Sequence, residues 1–203
     1  MNAKKPKIKA VIFDLGGVVM SGGYLPFIHH YCMECLTPLG KQKIAELEHK
    51  VNLGHITEKE FYKKIQAIFH LDLTPKQMHK LIVDKMQPND ELLEFIPQLK
   101  KAKVALFTNS IGHMAMNVLR ERKVPVKKLF NKTFISSNIH LAKPDKNAYA
   151  YVLRKLRVKP GEALMVDDRK QNIAAVERLG MKGLVFKSAK KFEKDIKKFE
   201  LSA

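Results

Sequence analysis

The sequence contains no apolar run long enough to span a membrane, no internal repeat and no low-complexity tract. Residues 1–9 are basic, but they lead directly into an apolar run and lack the hydrophobic core and cleavage site of a secretory signal. We therefore expect a cytoplasmic location and no membrane partner. With 203 residues, 45% of them hydrophobic and 29% charged, the chain can bury one sizeable core and carry a modest insertion.

Cysteine is scarce in this chain. The two cysteines, Cys32 and Cys35, form a C-x-x-C pair just after His29 and His30. Because residues i and i+3 share a helix face, a zinc or redox site is one interpretation. The sequence offers no second C-x-x-C or H-x-x-H pair, and cysteines in a reducing compartment are commonly small apolar side chains. We therefore assign these cysteines no metal.

Acidic residues are few relative to basic ones. The 38 lysines and arginines against 20 aspartates and glutamates give a formal net charge of +18. Such a charge attracts anionic substrates, and it is also typical of proteins that bind nucleic acid. The basic residues are dispersed, however, and the C-terminal lysines alternate with Phe192, Ile196 and Phe199 at helical spacing. This pattern predicts the solvent face of an amphipathic helix, so we expect nucleic-acid binding to be weak, non-specific and sensitive to salt.

The order of helical and strand-like segments predicts an α/β fold. Residues 20–88 have a helical pattern without strands, with capping boxes that begin at Thr57 and Thr74. Beyond residue 89, helices and strands alternate, as in a Rossmann-like parallel sheet covered on both faces. We therefore predict a core made of residues 1–19 and 89–203, with 20–88 inserted as a helical cap. Pro97 should kink or restart a helix. The predicted strands lie near residues 8–14, 104–109, 133–137, 163–168 and 183–186.

Four segments far apart in sequence place polar or charged residues at or just beyond the ends of strand-like runs. Each one alone also has a structural interpretation, as a turn or a helix cap. In a parallel sheet, however, the carboxyl ends of neighbouring strands open into one crevice, so the four can converge. The residues concerned are Asp14 with Gly16 and Gly17, Thr108 with Asn109, Lys143, and Asp167 with Asp168 and the following Asn172.

Together these residue types suit a phosphoryl group and a hard divalent cation. Mg²⁺ prefers oxygen ligands, which Asp14 and Asp168 can supply together with phosphate and water. The Lys143 ammonium would lower the repulsion between an anionic nucleophile and an anionic substrate. The adjacent carboxylates Asp167 and Asp168 repel each other unless a cation is shared, which makes this pair the most specific of the four signals.

At these residues the chain resembles the haloacid dehalogenase-like hydrolase superfamily, in its branch with a small helical cap after the first strand. The four motifs match in order and spacing over nearly the whole chain. The resemblance implies that Asp14 is a nucleophile that forms an aspartyl-phosphate. It also implies that Thr108, Asn109 and Lys143 bind the phosphate. The implied Mg²⁺ ligands are Asp14, the backbone carbonyl of Gly16, and Asp168 with Asp167 close behind it.

The first motif departs from the usual pattern of phosphatases in this family. These commonly carry a second aspartate two positions after the nucleophile, which protonates the leaving group and then activates water. Gly16 stands at this position. Its carbonyl still suits metal binding, but a general acid/base that is typically worth about 10²–10⁴-fold in rate is missing.

Three functions follow from these observations. The first is a Mg²⁺-dependent phosphatase acting on a small phosphorylated metabolite. The second is a haloacid dehalogenase, which Gly16 fits and the Asp167–Asp168 pair does not. The third is a regulatory protein that binds phosphate without turnover. The cap would select the substrate, and its candidates for facing the pocket are aromatic and histidine residues that packing could equally explain. They are Tyr24, Phe27, His29, His30 and His55.

Overall fold

The computed structural model describes residues 7–21, 37–110 and 112–201. The predictions made for Tyr24, Phe27, His29, His30 and the two cysteines lie outside these residues. In the part of the chain that the structure describes, no helix is long and apolar enough to cross a membrane.

The centre of the fold is a five-stranded sheet whose strands all run parallel. The described strands are β1 (Ala10–Phe13), β2 (Met20–Ser21), β3 (Gln87–Pro88), β4 (Lys103–Thr108), β5 (Lys132–Ile135), β6 (Ala163–Asp167) and β7 (Lys182–Val185). The sheet has the order β5-β4-β1-β6-β7. All five predicted strands are therefore present, with ends that differ by one or two residues.

The register of the sheet aligns the carboxyl ends of its three central strands. Phe13 at the end of β1 pairs with Leu106 of β4 and with Val166 of β6. The next residue, Asp14, donates its backbone N–H to the Val166 carbonyl over 2.9 Å. Residues just beyond these three strands therefore lie side by side at one edge of the sheet.

Helices cover both faces of the sheet. Alternate residues of β1 divide between two buried clusters, because successive side chains of a strand point to opposite faces. Val11 and Phe13 belong to the cluster that contains Phe192, and Ile12 belongs to the cluster that contains Tyr149. The described helices are α1 (Pro38–Asn52), α2 (Glu58–Phe69), α3 (Pro75–Lys85), α4 (Asp90–Phe95), α5 (Gly112–Glu121), α6 (Val126–Leu129), α7 (Ser136–Ile139), α8 (Lys146–Leu156), α9 (Lys170–Arg178) and α10 (Ala189–Ile196).

The segment between β2 and β3 contains α1, α2 and α3. The capping boxes predicted at Thr57 and Thr74 are both formed: each threonine caps the helix after it, and Glu60 or Gln77 reaches back to the cap backbone. The prediction that this segment lacks strands was wrong at its ends, where β2 and β3 form a short antiparallel pair. Strands of two residues carry no periodicity, so the sequence pattern contained no sign of them. The cap boundaries at 20 and 88 stay a prediction.

Two smaller predictions concern the helices around the core. The α-helix α4 ends at Phe95 and continues as a 3₁₀ turn over Ile96–Gln98, so Pro97 does interrupt the α-helix as predicted. In α10, Phe192 and Ile196 are buried, while the C-terminal lysines are exposed. The lysine run is therefore the solvent face of an amphipathic helix.

Phe192 joins this helix to the sheet. Its ring is 1% exposed and makes edge contacts with Phe13 and Phe95, with ring centroids 5.5 and 5.6 Å apart. We expect Phe192→Ala to lower the free energy of unfolding by about 3–5 kcal/mol, because a large buried cavity would remain. Chemical denaturation measures this change. Phe199→Ala, at a partly buried ring just beyond the end of α10, is the control and should cost clearly less. Equal losses in the two variants would contradict the packing role of Phe192.

Candidate active site

The predicted convergence of the four segments occurs at the carboxyl edge of the sheet. Asp14 follows β1, Thr108 ends β4, and Asp167 ends β6 with Asp168 immediately after it. Lys143 lies in the loop that leads into α8. All five residues are buried except Asp168, which is exposed to the solvent side of the edge.

Lys143 is the centre of a buried ion network. Its ammonium lies 2.8 Å from Asp14 Oδ1 and 2.7 Å from Asp167 Oδ2, and its side chain is 1% exposed. The same ammonium lies 5.5 Å from the centroid of the Phe107 ring. Charges buried in this way are tolerated only when they are paired and hydrogen-bonded. The network therefore fixes Lys143 between the two carboxylates.

Asp167 is engaged by donors on both of its oxygens. The Asn172 amide donates to Oδ1 and Oδ2, each over 3.0 Å, and the Arg169 backbone N–H donates to Oδ1 over 2.9 Å. Together with the Lys143 ammonium on Oδ2, these contacts hold the carboxylate in a single orientation. The Asp167 side chain is fully buried. Its position suits orienting Lys143 more than direct contact with a substrate.

The two carboxylates nearest the crevice have perturbed acidities. Burial raises the pKa of Asp14 to about 6, the Lys143 charge opposes that rise, and the Asp167 charge adds to it. Burial and the Asp167 charge likewise raise the pKa of Asp168. One oxygen from each of Asp14, Asp167 and Asp168 lies within 4.8 Å of the others. Three carboxylates around one lysine leave an excess of negative charge that a divalent cation would neutralise.

The two glycines after Asp14 occupy different environments. The backbone N–H of Leu15 donates to Asp14 Oδ1 over 2.7 Å and helps to orient the carboxylate. Gly17 adopts a φ of +74°, and a Cβ there would lie 2.5 Å from Asp168 Oδ2. A Cβ at Gly16 would have nothing within 4 Å. Only glycine fits at residue 17, whereas residue 16 has room for a side chain.

The structure gives the Asn109 side chain a contact that the sequence did not reveal. Its amide donates to the Lys143 carbonyl over 2.8 Å, and its Oδ1 accepts from the Lys143 backbone N–H over 2.9 Å. This pair of hydrogen bonds joins the end of β4 to the Lys143 loop. The predicted phosphate-binding role of Asn109 stays a prediction, and the observed contacts place its side chain behind Lys143.

A cavity of about 450 Å³ opens above this edge, between the sheet and the inserted helices. Asp14, Thr108, Lys143 and Asp168 lie on its floor, whereas α1, α2 and α3 supply much of its wall. His55 is exposed and is not among the lining residues, because it lies in the turn after α1. The cavity is lined by Asp14, Leu15, Gly16, Gly17, Glu48, Val51, Asn52, Phe61, Tyr62, Ile82, Met86, Thr108, Asn109, Ser110, Met114, Lys143, Asp168, Arg169 and Asn172.

Glu48 is an acidic lining residue that the sequence analysis missed. It lies on α1 between the buried residues Ile44, Leu47 and Val51, and burial raises the pKa of its carboxyl group. A carboxylate on the apolar stripe of an amphipathic helix was the signal that could have identified it.

Comparison with known proteins agrees with this architecture. A family model described as haloacid dehalogenase-like hydrolase matches residues 8–180. A predicted HAD-like family hydrolase from Porphyromonas gingivalis superposes with a TM-score of 0.78 at 21% identity, over 97% of this chain and 99% of that one. A HAD family enzyme from Bacteroides thetaiotaomicron, solved with magnesium and inorganic phosphate, has a TM-score of 0.70 at 23% identity, over 89% of this chain and 95% of that one. The chain belongs to the haloacid dehalogenase-like hydrolases.

Several curated relatives match most of the chain. A sesquiterpene phosphatase of Aspergillus oryzae is 26% identical over 87% of this chain and 88% of its own length. A phosphorylated carbohydrates phosphatase of Thermotoga maritima is 25% identical over 86% of this chain and 82% of its own. A drimenol cyclase of Aspergillus calidoustus is 23% identical over 88% of this chain, which spans only 34% of the length of that protein.

Asn109 provides a test of how Lys143 is positioned. Asn109→Ala removes both hydrogen bonds to the Lys143 backbone, and a shift of about 1 Å in a catalytic group can cost about 10²-fold in rate. We expect kcat for a chromogenic aryl phosphate to fall by about 10–100-fold, with little change in the cooperativity of thermal unfolding. Asn147→Ala, at an exposed asparagine in the first turn of α8, is the control. An Asn109→Ala variant with the kcat of the unmodified protein would show that Lys143 needs no such support.

Proposed function

We propose that this protein is a Mg²⁺-dependent phosphatase that hydrolyses a small phosphorylated metabolite through an aspartyl-phosphate on Asp14. The observation that carries this proposal is the buried Lys143 ammonium, 2.8 Å from a carboxylate on the floor of a cavity that also contains Asp168. An ammonium beside a carboxylate nucleophile suits attack on an anionic centre. Two of the relatives are named as phosphatases, and the Bacteroides enzyme was solved with magnesium and phosphate, which supports the same chemistry.

The residues present fit a magnesium ion. Asp14 and Asp168 offer carboxylate oxygens, and the backbone carbonyl of Gly16 offers a third ligand. Burial is the main cause of the raised pKa of both acids, and the nearby Asp167 charge adds to it. Asp167, although close, already accepts hydrogen bonds on both oxygens. We therefore assign it to the support of Lys143 and to the charge of the site. When bound, the ion neutralises charge on the phosphoryl group.

The side chains define two steps. A carboxylate oxygen of Asp14 forms a bond to phosphorus while the ester P–O bond breaks, and the departing alcohol oxygen takes up a proton from water. A water molecule then attacks the phosphorus of the aspartyl-phosphate, and the bond between phosphorus and the Asp14 oxygen breaks. Inorganic phosphate leaves, the surplus proton passes to phosphate or solvent, and the Asp14 carboxylate is regenerated. Lys143 pairs with Asp14 and with the phosphoryl oxygens throughout, and Thr108 lines the floor on which the phosphate would rest.

The other two functions fit the site less well. A dehalogenase attacks carbon and needs no cation, so the excess carboxylate charge of Asp14, Asp167 and Asp168 would repel its carboxylate substrate. A protein that only binds phosphate gains nothing from an oriented carboxylate on the cavity floor, yet the Leu15 N–H and the Lys143 ammonium both hold Asp14 Oδ1 in place. Both features favour turnover on a phosphate ester.

The first prediction for this function concerns Asp14 and magnesium. Asp14→Asn removes the nucleophile but keeps the side-chain size, so we expect kcat for p-nitrophenyl phosphate to fall by about 10³-fold or more. Excess chelator should abolish the activity of the unmodified protein, and added Mg²⁺ should restore it. Asp145→Asn, at the exposed N-cap of α8, is the control. Turnover that survives Asp14→Asn or chelation would overturn the mechanism.

The second prediction concerns the missing acid at Gly16. Without a proton donor at this position, kcat/KM should rise steeply as the leaving group becomes more acidic. A Cβ at Gly16 meets no atom within 4 Å, so Gly16→Asp should fold. It should gain most on the poorest leaving groups, by up to about 10²-fold.

The adjacent glycine supplies the matched control for this experiment. Gly17→Asp places the same side chain at a φ of +74°, where its Cβ would collide with the Asp168 carboxylate, so we expect activity to be lost. A shallow dependence on leaving-group acidity, with no gain in Gly16→Asp, would show that the proton comes from another residue. Glu48, which lines the cavity, would then be the first residue to replace by glutamine.

A further inference from the structure

The cavity above Asp14 has two chemically different halves. The floor carries the ionic groups of the sheet edge, which suit a phosphoryl group. Most of the remaining described surface is apolar and comes from the inserted helices and from the first part of α5. The residues of this apolar wall are Val51, Phe61, Tyr62, Ile82, Met86 and Met114.

The residues of the apolar wall come from four separate helical regions. Val51 lies near the end of α1, Phe61 and Tyr62 lie on α2, Ile82 lies on α3 with Met86 just after it, and Met114 lies on α5. Ile82 is 1% exposed and Val51 is 4% exposed, so both belong to the core of the insertion as well as to the cavity. A wall built from such residues offers methyl, thioether and ring surfaces but few hydrogen-bonding groups.

The single hydroxyl in this wall faces other protein groups. The Tyr62 oxygen lies 3.6 Å from Met114 Sδ, and burial together with the neighbouring Glu58 raises the pKa of Tyr62. The phenol therefore stays protonated, and its hydroxyl interacts with both Met114 and Glu58. The other polar lining residues away from the floor are Glu48 and Asn52 on α1 and Arg169 at the start of α9.

A sugar or polyol would be poorly matched to this wall. Each hydroxyl that leaves water without a new partner costs free energy, and several would face Val51, Ile82 and Met86 at once. A hydrocarbon or aromatic group would instead gain from each apolar surface that it covers. The wall therefore disfavours substrates whose hydroxyl groups would find no hydrogen-bond partner in it.

We propose that the substrate is a monophosphate ester of an apolar alcohol, whose hydrocarbon or aromatic part lies against this wall while its phosphate lies beside Lys143. This inference rests on the proposed phosphatase function and narrows its substrate class. It also agrees with the absence of a proton-donating side chain at Gly16, because an aryl or allylic alcohol leaves more readily than a simple alkyl alcohol.

The first experiment separates apolar contact from leaving-group acidity. In a series of unbranched alkyl phosphates from ethyl to octyl, the acidity of the leaving alcohol hardly changes. We expect kcat/KM to rise by about two- to fourfold per methylene until the cavity is filled. Octyl phosphate should also exceed glycerol and ribitol phosphates, although their alcohols are better leaving groups. A flat series, with the polyol phosphates preferred, would overturn the proposal.

The second experiment uses two methionines of the same helix. Met114→Gln keeps the length and helix propensity of the side chain but introduces an amide into the wall, so kcat/KM for octyl phosphate should fall by about tenfold. Ethyl phosphate, which offers only two carbons for contact with the wall, should change by less than about twofold. Met116→Gln, at a residue that is 37% exposed and does not line the cavity, is the control. Equal losses on both substrates in Met114→Gln would contradict a role in chain recognition.

A binding measurement distinguishes failure of this inference from failure of the proposed function. Calorimetric titration of the Mg²⁺-loaded protein with ethyl-, hexyl- and octylphosphonate, which cannot be hydrolysed, needs no turnover. Tighter binding with chain length, without hydrolysis of any ester, would support the apolar site and overturn the phosphatase. If hydrolysis depends on Asp14 but the affinity for phosphonates does not change with chain length, the phosphatase function is supported and the apolar site is overturned.

Discussion

The ion network of Asp14, Lys143 and Asp167 is the interaction on which the rest of the site depends. Its three members come from the end of β1, the loop before α8 and the end of β6, and the Lys143 side chain is 1% exposed. Removing charged groups from water is costly, so the network persists only because every member has partners. Asn172 and the Arg169 N–H hold Asp167, the Leu15 N–H holds Asp14, and Asn109 holds the backbone of Lys143. The contacts of Lys143 with the two aspartates and with Asn109 join residues far apart in the chain, so they form only when the sheet register is correct.

The loop after β1 shows how backbone geometry limits the chemistry. Gly17 lies so close to the Asp168 carboxylate that a side chain would displace it, and its positive φ also favours glycine. Gly16 has no such constraint, since a side chain there would enter open space. The missing acid at residue 16 is therefore a matter of chemistry and not of packing, which is why leaving-group acidity is central to the proposed mechanism.

The charged floor and the apolar wall of the cavity come from different parts of the chain. The sheet edge supplies the charged floor of the cavity, and the helices between β2 and β3 supply most of its apolar wall. The strands β2 and β3 lie at the two ends of the segment that contains α1, α2 and α3. Their short pairing joins these two ends beside the loop that carries Gly16 and Gly17. On the proposed function, substitutions in the wall should change which alcohol is accepted without altering the ion network. Family membership defines the chemistry of the floor more closely than it defines the substrate.

The sequence by itself determined the α/β class, the five sheet strands, the two capping boxes and the identity of the residues that meet at the sheet edge. These features depend on local periodicity or on the rule that parallel strands end at one edge. The tertiary structure alone decided that Asn109 holds the Lys143 backbone, that Asp167 is turned toward Lys143 and Asn172, and that Glu48 and an apolar wall face the cavity. The β2–β3 pair was also determined by the tertiary structure alone, because strands of two residues are too short to show an alternating sequence pattern. Except for the contact between Asp167 and Asn172, these contacts join residues far apart in the chain, and their distance and direction are set by packing, which no local pattern encodes.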